Sequence, residues 1–164
     1  MTERTRTFEW QDPMLTAAAA KGRTGLDFLR CLIAGEAPPA PIMLTLGFKL
    51  TAVEKGYARF EGEAAEYHYN PMGTVHGGLA CTLLDSALGC AVMTTCDEKT
   101  GYTTAQIAVH LTKTITVKTG KLVAEALVLH RGRSVATADG KLTDASGALL
   151  AHATTTCLIL PRPG

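Results

Sequence analysis

The stretch Asn70-Pro71-Met72-Gly73-Thr74-Val75-His76-Gly77-Gly78 precedes a mainly apolar run over residues 79–88 whose one charge is Asp85. Gly77 and Gly78 stand where a helical pattern begins, so the order predicts a loop followed by a helix start. A helix start exposes unpaired N–H groups and a partial positive charge, which together can stabilise an oxygen that becomes negative during a reaction. A second interpretation, that the two glycines only let backbones pack closely, stays open at this point.

Asp85 is the second informative feature of this stretch. A helix that is apolar nearly all round belongs in a core, where an ionised carboxylate is costly unless it is paired or used. We therefore expect Asp85 to be a buried acid, either catalytic or a satisfied structural carboxylate. It lies eight residues after Gly77, which is about 12 Å along a helix axis at 1.5 Å per residue. Two antiparallel helices related by a two-fold axis would bring the two residues together, so the spacing predicts an obligate dimer with two shared sites.

Composition limits the class of protein. A chain of 164 residues is expected to form one domain with a sizeable core, and a net charge of +1 gives no sign of nucleic-acid binding. The five cysteines are an odd number without a C-x-x-C pair, which is typical of reduced core residues in a cytoplasmic protein. A nucleophilic Cys81 is disfavoured because nothing nearby in the sequence would lower the pKa of its thiol. We expect no signal peptide and no membrane span, because Asp85 interrupts the longest apolar stretch.

The flanking sequence predicts one α+β domain at residues 24–164, after an N-terminal arm at residues 1–23 that is irregular or partly disordered. Thr24 and Asp27 form a capping-box-like start for a short helix that ends near Gly35. A proline-rich connector follows, and alternation from Ile42 to Leu50 predicts a strand there. The remaining predicted elements are a turn at 54–56, a strand at 57–65, a central helix at about 75–95, a strand around 105–111 and strands at about 121–130, 134–143 and 148–160.

The motif of Asn70, Gly73, His76-Gly77-Gly78 and Asp85 resembles the signature of the hotdog-fold acyl-CoA thioesterases, in the branch associated with phenylacetate degradation. The resemblance extends over about residues 24–160. It implies a hotdog fold, in which an antiparallel β-sheet wraps a long central helix and a short N-terminal helix precedes both. Further segments typical of the branch are Gly120-Lys121-Leu122-Val123-Ala124-Glu125-Ala126, His130-Arg131-Gly132-Arg133, Ala138-Asp139-Gly140 and Ala153-Thr154-Thr155-Thr156-Cys157.

The resemblance also implies roles for individual residues. Asn70 would point at the thioester or the attacking water, although Asn-Pro commonly initiates a turn. His76 would polarise the thioester beside Gly77 and Gly78, or would only be satisfied by the backbone at the helix start. Thr104 would position the water or the carboxylate, although a strand favours threonine for its β-propensity alone.

Arg131 and Arg133 flank a predicted turn. Guanidinium groups suit the phosphates of coenzyme A, whereas most arginines at turns are merely solvated. Two departures from the family pattern are Gln106, where an acid is common, and Thr112-Lys113-Thr114, which replaces an Arg-Pro type of ending. These positions are expected to border the acyl pocket or subunit contacts.

The predicted activity is hydrolysis of an acyl-CoA thioester. The Gly77 amide would stabilise the oxyanion, and Asp85 of the partner would act as general base or as nucleophile. The expected partners are the acyl-CoA substrate and further copies of the chain, as a homodimer or a dimer of dimers. No cofactor is expected, since CoA is part of the substrate, and the five histidines show no metal-ligand spacing. The alternatives are a non-catalytic acyl-CoA-binding module and a hotdog hydratase or dehydratase.

Overall fold

The computed structural model describes residues 3–162. Its regular elements are short and long helices and the strands of one antiparallel sheet. In chain order they are α1 (Pro13–Ala19), α2 (Gly25–Ile33), α3 (Pro41–Leu46), β1 (Phe48–Glu54), β2 (Tyr57–Glu63), a 3-10 turn (Glu66–His68), α4 (Gly77–Met93), β3 (Thr100–Leu111), a second 3-10 turn (Val117–Thr119), β4 (Lys121–Arg131), β5 (Val135–Asp144) and β6 (Leu149–Pro161).

The six strands form one antiparallel sheet in the order β1-β2-β4-β5-β6-β3. The predicted turn at 54–56 closes the β1–β2 hairpin, and the four strands predicted after the central helix are all present. The strand β3 lies at one edge of the sheet and, within residues 3–162, pairs only with β6. The inner edge of β3 is therefore satisfied, while its outer edge is open to another chain.

The helix α4 fills the concave face of the sheet, as the hotdog fold requires. Its side chains Leu83, Leu84 and Leu88 are fully buried. Leu88 packs against Gly140 of β5, where an added Cβ would lie 3.2 Å from the leucine side chain. Burying each leucine contributes about 1.5–3 kcal/mol to folding, so the contact between α4 and the sheet stabilises the fold. The fold class predicted from the sequence is confirmed.

The short helix before the sheet is also confirmed. The Thr24 hydroxyl oxygen accepts the Asp27 backbone N–H at 3.2 Å and donates to the Asp27 carboxylate at 2.6 Å, which caps the start of α2. The N-terminal arm contains a further helix, α1, which Asp12 caps through the Met14 N–H.

The strand predicted from Ile42 to Leu50 is wrong over its first half. Residues 41–46 form α3, and β1 begins only at Phe48. Pro41 stands at the first helical turn, where its missing N–H costs nothing, and Gly47 ends the helix in the left-handed region at φ 70°. These two end residues override the alternation of Ile42, Leu44 and Leu46, which is too short to distinguish a strand from a helix.

Candidate active site

The loop before α4 is organised by Asn70. Its Oδ1 accepts the backbone N–H groups of Met72 at 2.9 Å and Thr74 at 3.3 Å, and its Nδ2 donates to the Thr74 hydroxyl at 3.0 Å. The Gly73 N–H donates to the Asn70 carbonyl, and Gly73 has φ 76°. The side chain of Asn70 thus holds the turn that carries the chain into α4, which is the turn role left open by the sequence.

His76 is the residue that caps α4. Its Nδ1 accepts the Gly78 N–H at 2.8 Å, which leaves Nε2 as the ring nitrogen that faces outward on an exposed side chain. Its backbone N–H donates to the His68 carbonyl at 2.8 Å. Because the Gly78 amide is occupied by this cap, Gly78 offers no free N–H in this arrangement, whereas Nε2 of His76 can still contact a ligand.

The Gly77 amide differs from its neighbours. Within residues 3–162 its N–H has no hydrogen-bond partner. Gly77 lines a cavity of about 820 Å³ formed by the loop, the start of α4 and residues 111–115. A Cβ on Gly77 would lie 2.6 Å from Leu111 Cδ1, so only glycine fits without displacing that side chain. The position therefore combines a free donor with the helix dipole, as an oxyanion site requires.

Asp85 lies on the outer face of α4, and the expectation that it is buried is wrong for the single chain, where it is exposed. The helix packs against the sheet on one side only, and Asp85 belongs to the opposite side, together with Gly78 and Thr82. The Thr104 hydroxyl of β3 donates to Asp85 Oδ1 at 3.1 Å. The structure thus brings together Asp85 and Thr104, the pair that the resemblance implied.

Two further titratable groups lie near Asp85, the thiol of Cys90 and the phenol of Tyr102. Among the described residues no lysine or arginine forms a salt bridge with this carboxylate. Burial together with the Asp85 charge raises the pKa of the Cys90 thiol to about 12, and burial with neighbouring charges raises the pKa of Tyr102 well above 10. Both groups therefore stay protonated near neutral pH, and neither adds a negative charge beside the Asp85 carboxylate.

The predicted residues fall into three separate groups within one chain. Gly77, Gly78, His76 and Asn70 surround the cavity at the start of α4, while Asp85 and Thr104 lie two turns along the helix. The third group is the β4–β5 turn. Arg131 lies there beside Cys96, just after the other end of α4, and its Nη1 donates to the Gly132 carbonyl; Arg133 is exposed. One chain alone therefore does not assemble all the predicted residues at one point.

Two residues of the cavity wall were not predicted as site residues. Leu111 closes the cavity over Gly77, and Lys113 supplies a positive charge to the same wall. The sequence signal was present in the unusual Thr112-Lys113-Thr114 ending of the strand. That segment was predicted only to border the acyl pocket or a subunit contact.

His68 lies in the first 3-10 turn and supports the start of α4 through its hydrogen bonds. The Ala65 N–H donates to its Nδ1 at 3.1 Å, so the neutral ring carries its proton on Nε2, which donates to the Leu46 carbonyl at 3.0 Å. Burial lowers the pKa of His68 below its ordinary value of 6.5, and the nearby Arg6 charge acts in the same direction. Because the His68 carbonyl holds the His76 amide, protonation of this ring would loosen the approach to α4.

We expect the stability of the folded chain to fall in acid through His68. The unfolded ring takes up a proton near pH 6.5, whereas the folded ring stays neutral to lower pH. The stability is therefore complete above pH 6.5 and declines below it, by at most about 1.4 kcal/mol per pH unit, until the folded pKa is reached. When the free energy of unfolding is measured with urea between pH 5 and 8, its dependence on pH should be weaker in His68→Asn than in the unchanged protein. Equal slopes for both proteins would contradict this assignment.

None of the helices within residues 3–162 is long and apolar enough to cross a membrane. No three His, Cys, Asp or Glu side chains of that part converge in a way that could hold a metal ion.

Comparisons with known proteins agree with this geometry. Residues 72–151 match the family model of the thioesterase superfamily. Acyl-coenzyme A thioesterase 13 from Mus musculus is 35% identical over 94 residues, which cover 56% of this chain and 65% of the mouse protein. The Homo sapiens protein of the same name is 32% identical over 105 residues, covering 63% of this chain and 73% of the human one.

A solved structure of a phenylacetic acid degradation-related protein from Ralstonia eutropha JMP134 superposes with a TM-score of 0.72 at 29% identity. The superposition covers 79% of this chain and 98% of the Ralstonia chain. The chain therefore belongs to the thioesterase superfamily and has the hotdog fold of its members.

Proposed function

We propose that this protein hydrolyses an acyl-CoA thioester to the free acid and CoA, at two sites shared across a homodimer. The observation that carries the proposal is the Gly77 N–H, which has no partner within residues 3–162 and belongs to a residue that lines the cavity of about 820 Å³. A thioester carbonyl at this point would receive a hydrogen bond that strengthens as its oxygen becomes negative.

In the proposed reaction, a water oxygen bonds to the thioester carbon and the C–S bond breaks. Asp85 accepts the proton of the attacking water, and the leaving CoA thiolate takes up a proton to become the thiol. Thr104 holds one carboxylate oxygen of Asp85, which leaves the other free for the water. In the alternative route Asp85 attacks the carbon itself, and water then hydrolyses the mixed anhydride. Neither route needs a cofactor.

Two features support a shared site. Gly77 and Asp85 are about 12 Å apart along one helix, too far to act on one carbon, and Asp85 lies on a face of α4 that the chain leaves exposed. The open outer edge of β3 suits pairing with β3 of a second copy. Such pairing would set two α4 helices antiparallel and bring Asp85 of one subunit toward Gly77 of the other.

Further assembly into a dimer of dimers is also proposed. The convex face of the sheet carries apolar side chains that are unusually exposed for a single chain, among them Leu127, Leu129 and Leu158 at 59%, 64% and 41%. Covering these side chains would remove apolar surface from water.

Positive charges near the cavity suit the phosphates of CoA. Lys113 lies in the cavity wall. In the proposed dimer the far end of the partner's α4 would lie beyond Gly77, which would add Arg131 and Arg133 of that turn on the same side.

All five cysteines are free, which supports a location in the reducing cytoplasm.

Release of free thiol from a panel of acetyl-, butyryl-, benzoyl- and palmitoyl-CoA tests this function. We expect turnover of at least one member by the purified protein, with kcat in the range of roughly 1–1000 per second that is typical of enzymes. Binding of the panel by calorimetry without thiol release would instead favour the non-catalytic binding module.

A further inference from the structure

We propose that the N-terminal arm sets the acyl selectivity of the site: Arg6 holds Tyr67 as the outer wall of a second cavity, and this cavity takes a compact acyl group. The inference rests on the proposed thioesterase function. It assigns a positioning residue to a part of the chain that precedes the domain predicted from the sequence.

The second cavity, of about 400 Å³, adjoins the first at the start of α4. The two cavities share His76 and Gly78, so a carbonyl bound at Gly77 would lie next to both. The larger contains Lys113, which suits the CoA part of the substrate. The smaller is lined mainly by apolar and aromatic groups, which suit the acyl part. Its lining residues are Leu46, Tyr67, His68, Tyr69, Leu79 and Thr82, besides the two shared ones.

Arg6 connects the arm to this wall. One guanidinium nitrogen donates to the Leu44 carbonyl at 2.8 Å and the other to the Thr45 carbonyl, at the negative end of α3. The Cζ atom of Arg6 lies 4.0 Å from the centre of the Tyr67 ring and 5.1 Å from that of Phe8. The guanidinium therefore stacks on Tyr67 while its hydrogen bonds fix its own position.

The position of Tyr67 depends on these contacts. The side chain is 54% exposed, so the core does not hold it. Its hydroxyl lies against Gly47, where an added Cβ would be 3.0 Å away, and its ring contacts His68 with centroids 4.3 Å apart. A second tether joins the arm to the same turn, because Arg4 forms a 2.6 Å salt bridge with Glu66. Arg4 and Glu66 are both exposed, so Arg6 is the main restraint on the outer side of the Tyr67 ring.

Loss of this restraint should change selectivity more than fold. With Arg6 replaced, Tyr67 is free to leave the wall and the small cavity opens to solvent. Long acyl chains would then enter with less steric cost, whereas compact acyl groups would lose packing contacts. The ratio of kcat/KM for palmitoyl-CoA to that for butyryl-CoA should therefore rise.

The test compares Arg6→Ala, Arg6→Lys and Tyr67→Ala with the unchanged protein, using thiol release from butyryl-, benzoyl- and palmitoyl-CoA. We expect the palmitoyl-to-butyryl ratio of kcat/KM to rise roughly tenfold in Arg6→Ala and in Tyr67→Ala, a size typical of a changed apolar pocket. Arg6→Lys keeps a cation but not the forked hydrogen bonds, so its palmitoyl-to-butyryl ratio should lie between those of the unchanged protein and Arg6→Ala. Arg30→Ala, an exposed arginine of α2, is the matched control and should leave the ratio unchanged.

The outcomes separate the inference from the function beneath it. Equal scaling of all three substrates, or an unchanged ratio in both Arg6→Ala and Tyr67→Ala, would overturn the selectivity role while thioesterase activity stands. An unchanged protein that releases no thiol from any substrate would overturn the proposed function first. Thermal unfolding of each variant shows whether a lost activity comes from a lost fold.

Discussion

Asp85→Asn should lower kcat for acyl-CoA hydrolysis by about a thousandfold, within the range that a general base contributes. The asparagine side chain keeps the size of the carboxylate and can still accept the Thr104 hydrogen bond. It can neither take a proton from water nor attack a thioester. Since the size of the side chain and its hydrogen bond from Thr104 are kept, the free energy of unfolding should change by less than about 0.5 kcal/mol.

Free-thiol release at saturating substrate measures the effect, and urea unfolding measures the stability. Glu36→Gln is the matched control, because it also removes one exposed carboxylate, in the segment after α2 and outside the lining of the cavity at Gly77. Retention of more than about a tenth of kcat in Asp85→Asn would contradict a role for Asp85 as base or nucleophile.

The unchanged enzyme can distinguish the two chemical roles of Asp85. In a single turnover in oxygen-18 water, direct attack by water puts the label into the product acid only. Hydrolysis of a mixed anhydride at its Asp85 carbonyl instead puts label into the protein. In mass spectrometry, the peptide that contains Asp85 should therefore gain about 2 Da per oxygen-18 only if the anhydride forms.

The start of α4 was predictable from the sequence because several local signals coincide there. The glycine pair, the preceding loop and the long apolar run all favour a helix from about residue 75, and α4 begins at Gly77. The strands β3 to β6 follow the same logic, since their alternation and their turns agree. Where local propensity and tertiary packing point to the same structure, the sequence is sufficient.

The exposure of Asp85 was not predictable from hydrophobicity alone. The run is apolar on nearly every side, which favours complete burial, yet the single chain covers only one side of α4. The other apolar positions are then explained by a surface that a second chain would cover. A helix that is buried by an oligomer and one that is buried by its own domain have the same pattern, so the difference is visible only in the folded chain.

The roles of Asn70 and His76 show a different limit. The sequence left each of them between a local hydrogen bond and a contact with substrate. In the structure both groups of the Asn70 amide bond to its own loop, whereas His76 uses Nδ1 for the helix cap and keeps Nε2 outward. Such choices depend on side-chain geometry that spacing does not determine.

Subunit mixing should restore activity if the site is shared. Asp85→Asn supplies an intact Gly77, and a second variant without the Gly77 N–H supplies an intact Asp85. Proline at position 77 removes the N–H and fits the first turn of a helix. Because a Cβ there would lie 2.6 Å from Leu111 Cδ1, the partner variant should carry Gly77→Pro together with Leu111→Ala, with Leu111→Ala alone as its control.

Each parent dimer would lack one component at both of its sites, whereas a hybrid dimer would have one complete site and one doubly defective site. Random mixing makes half of the dimers hybrids, so about one quarter of the unchanged activity should return. Two affinity tags, purified in sequence, isolate the hybrids and prove that they form. Pure hybrids without activity, beside an active Leu111→Ala control, would mean that Gly77 and Asp85 of the same subunit form one site. The distance of about 12 Å between them, at about 1.5 Å per residue, would then have to shorten through a change within α4 itself.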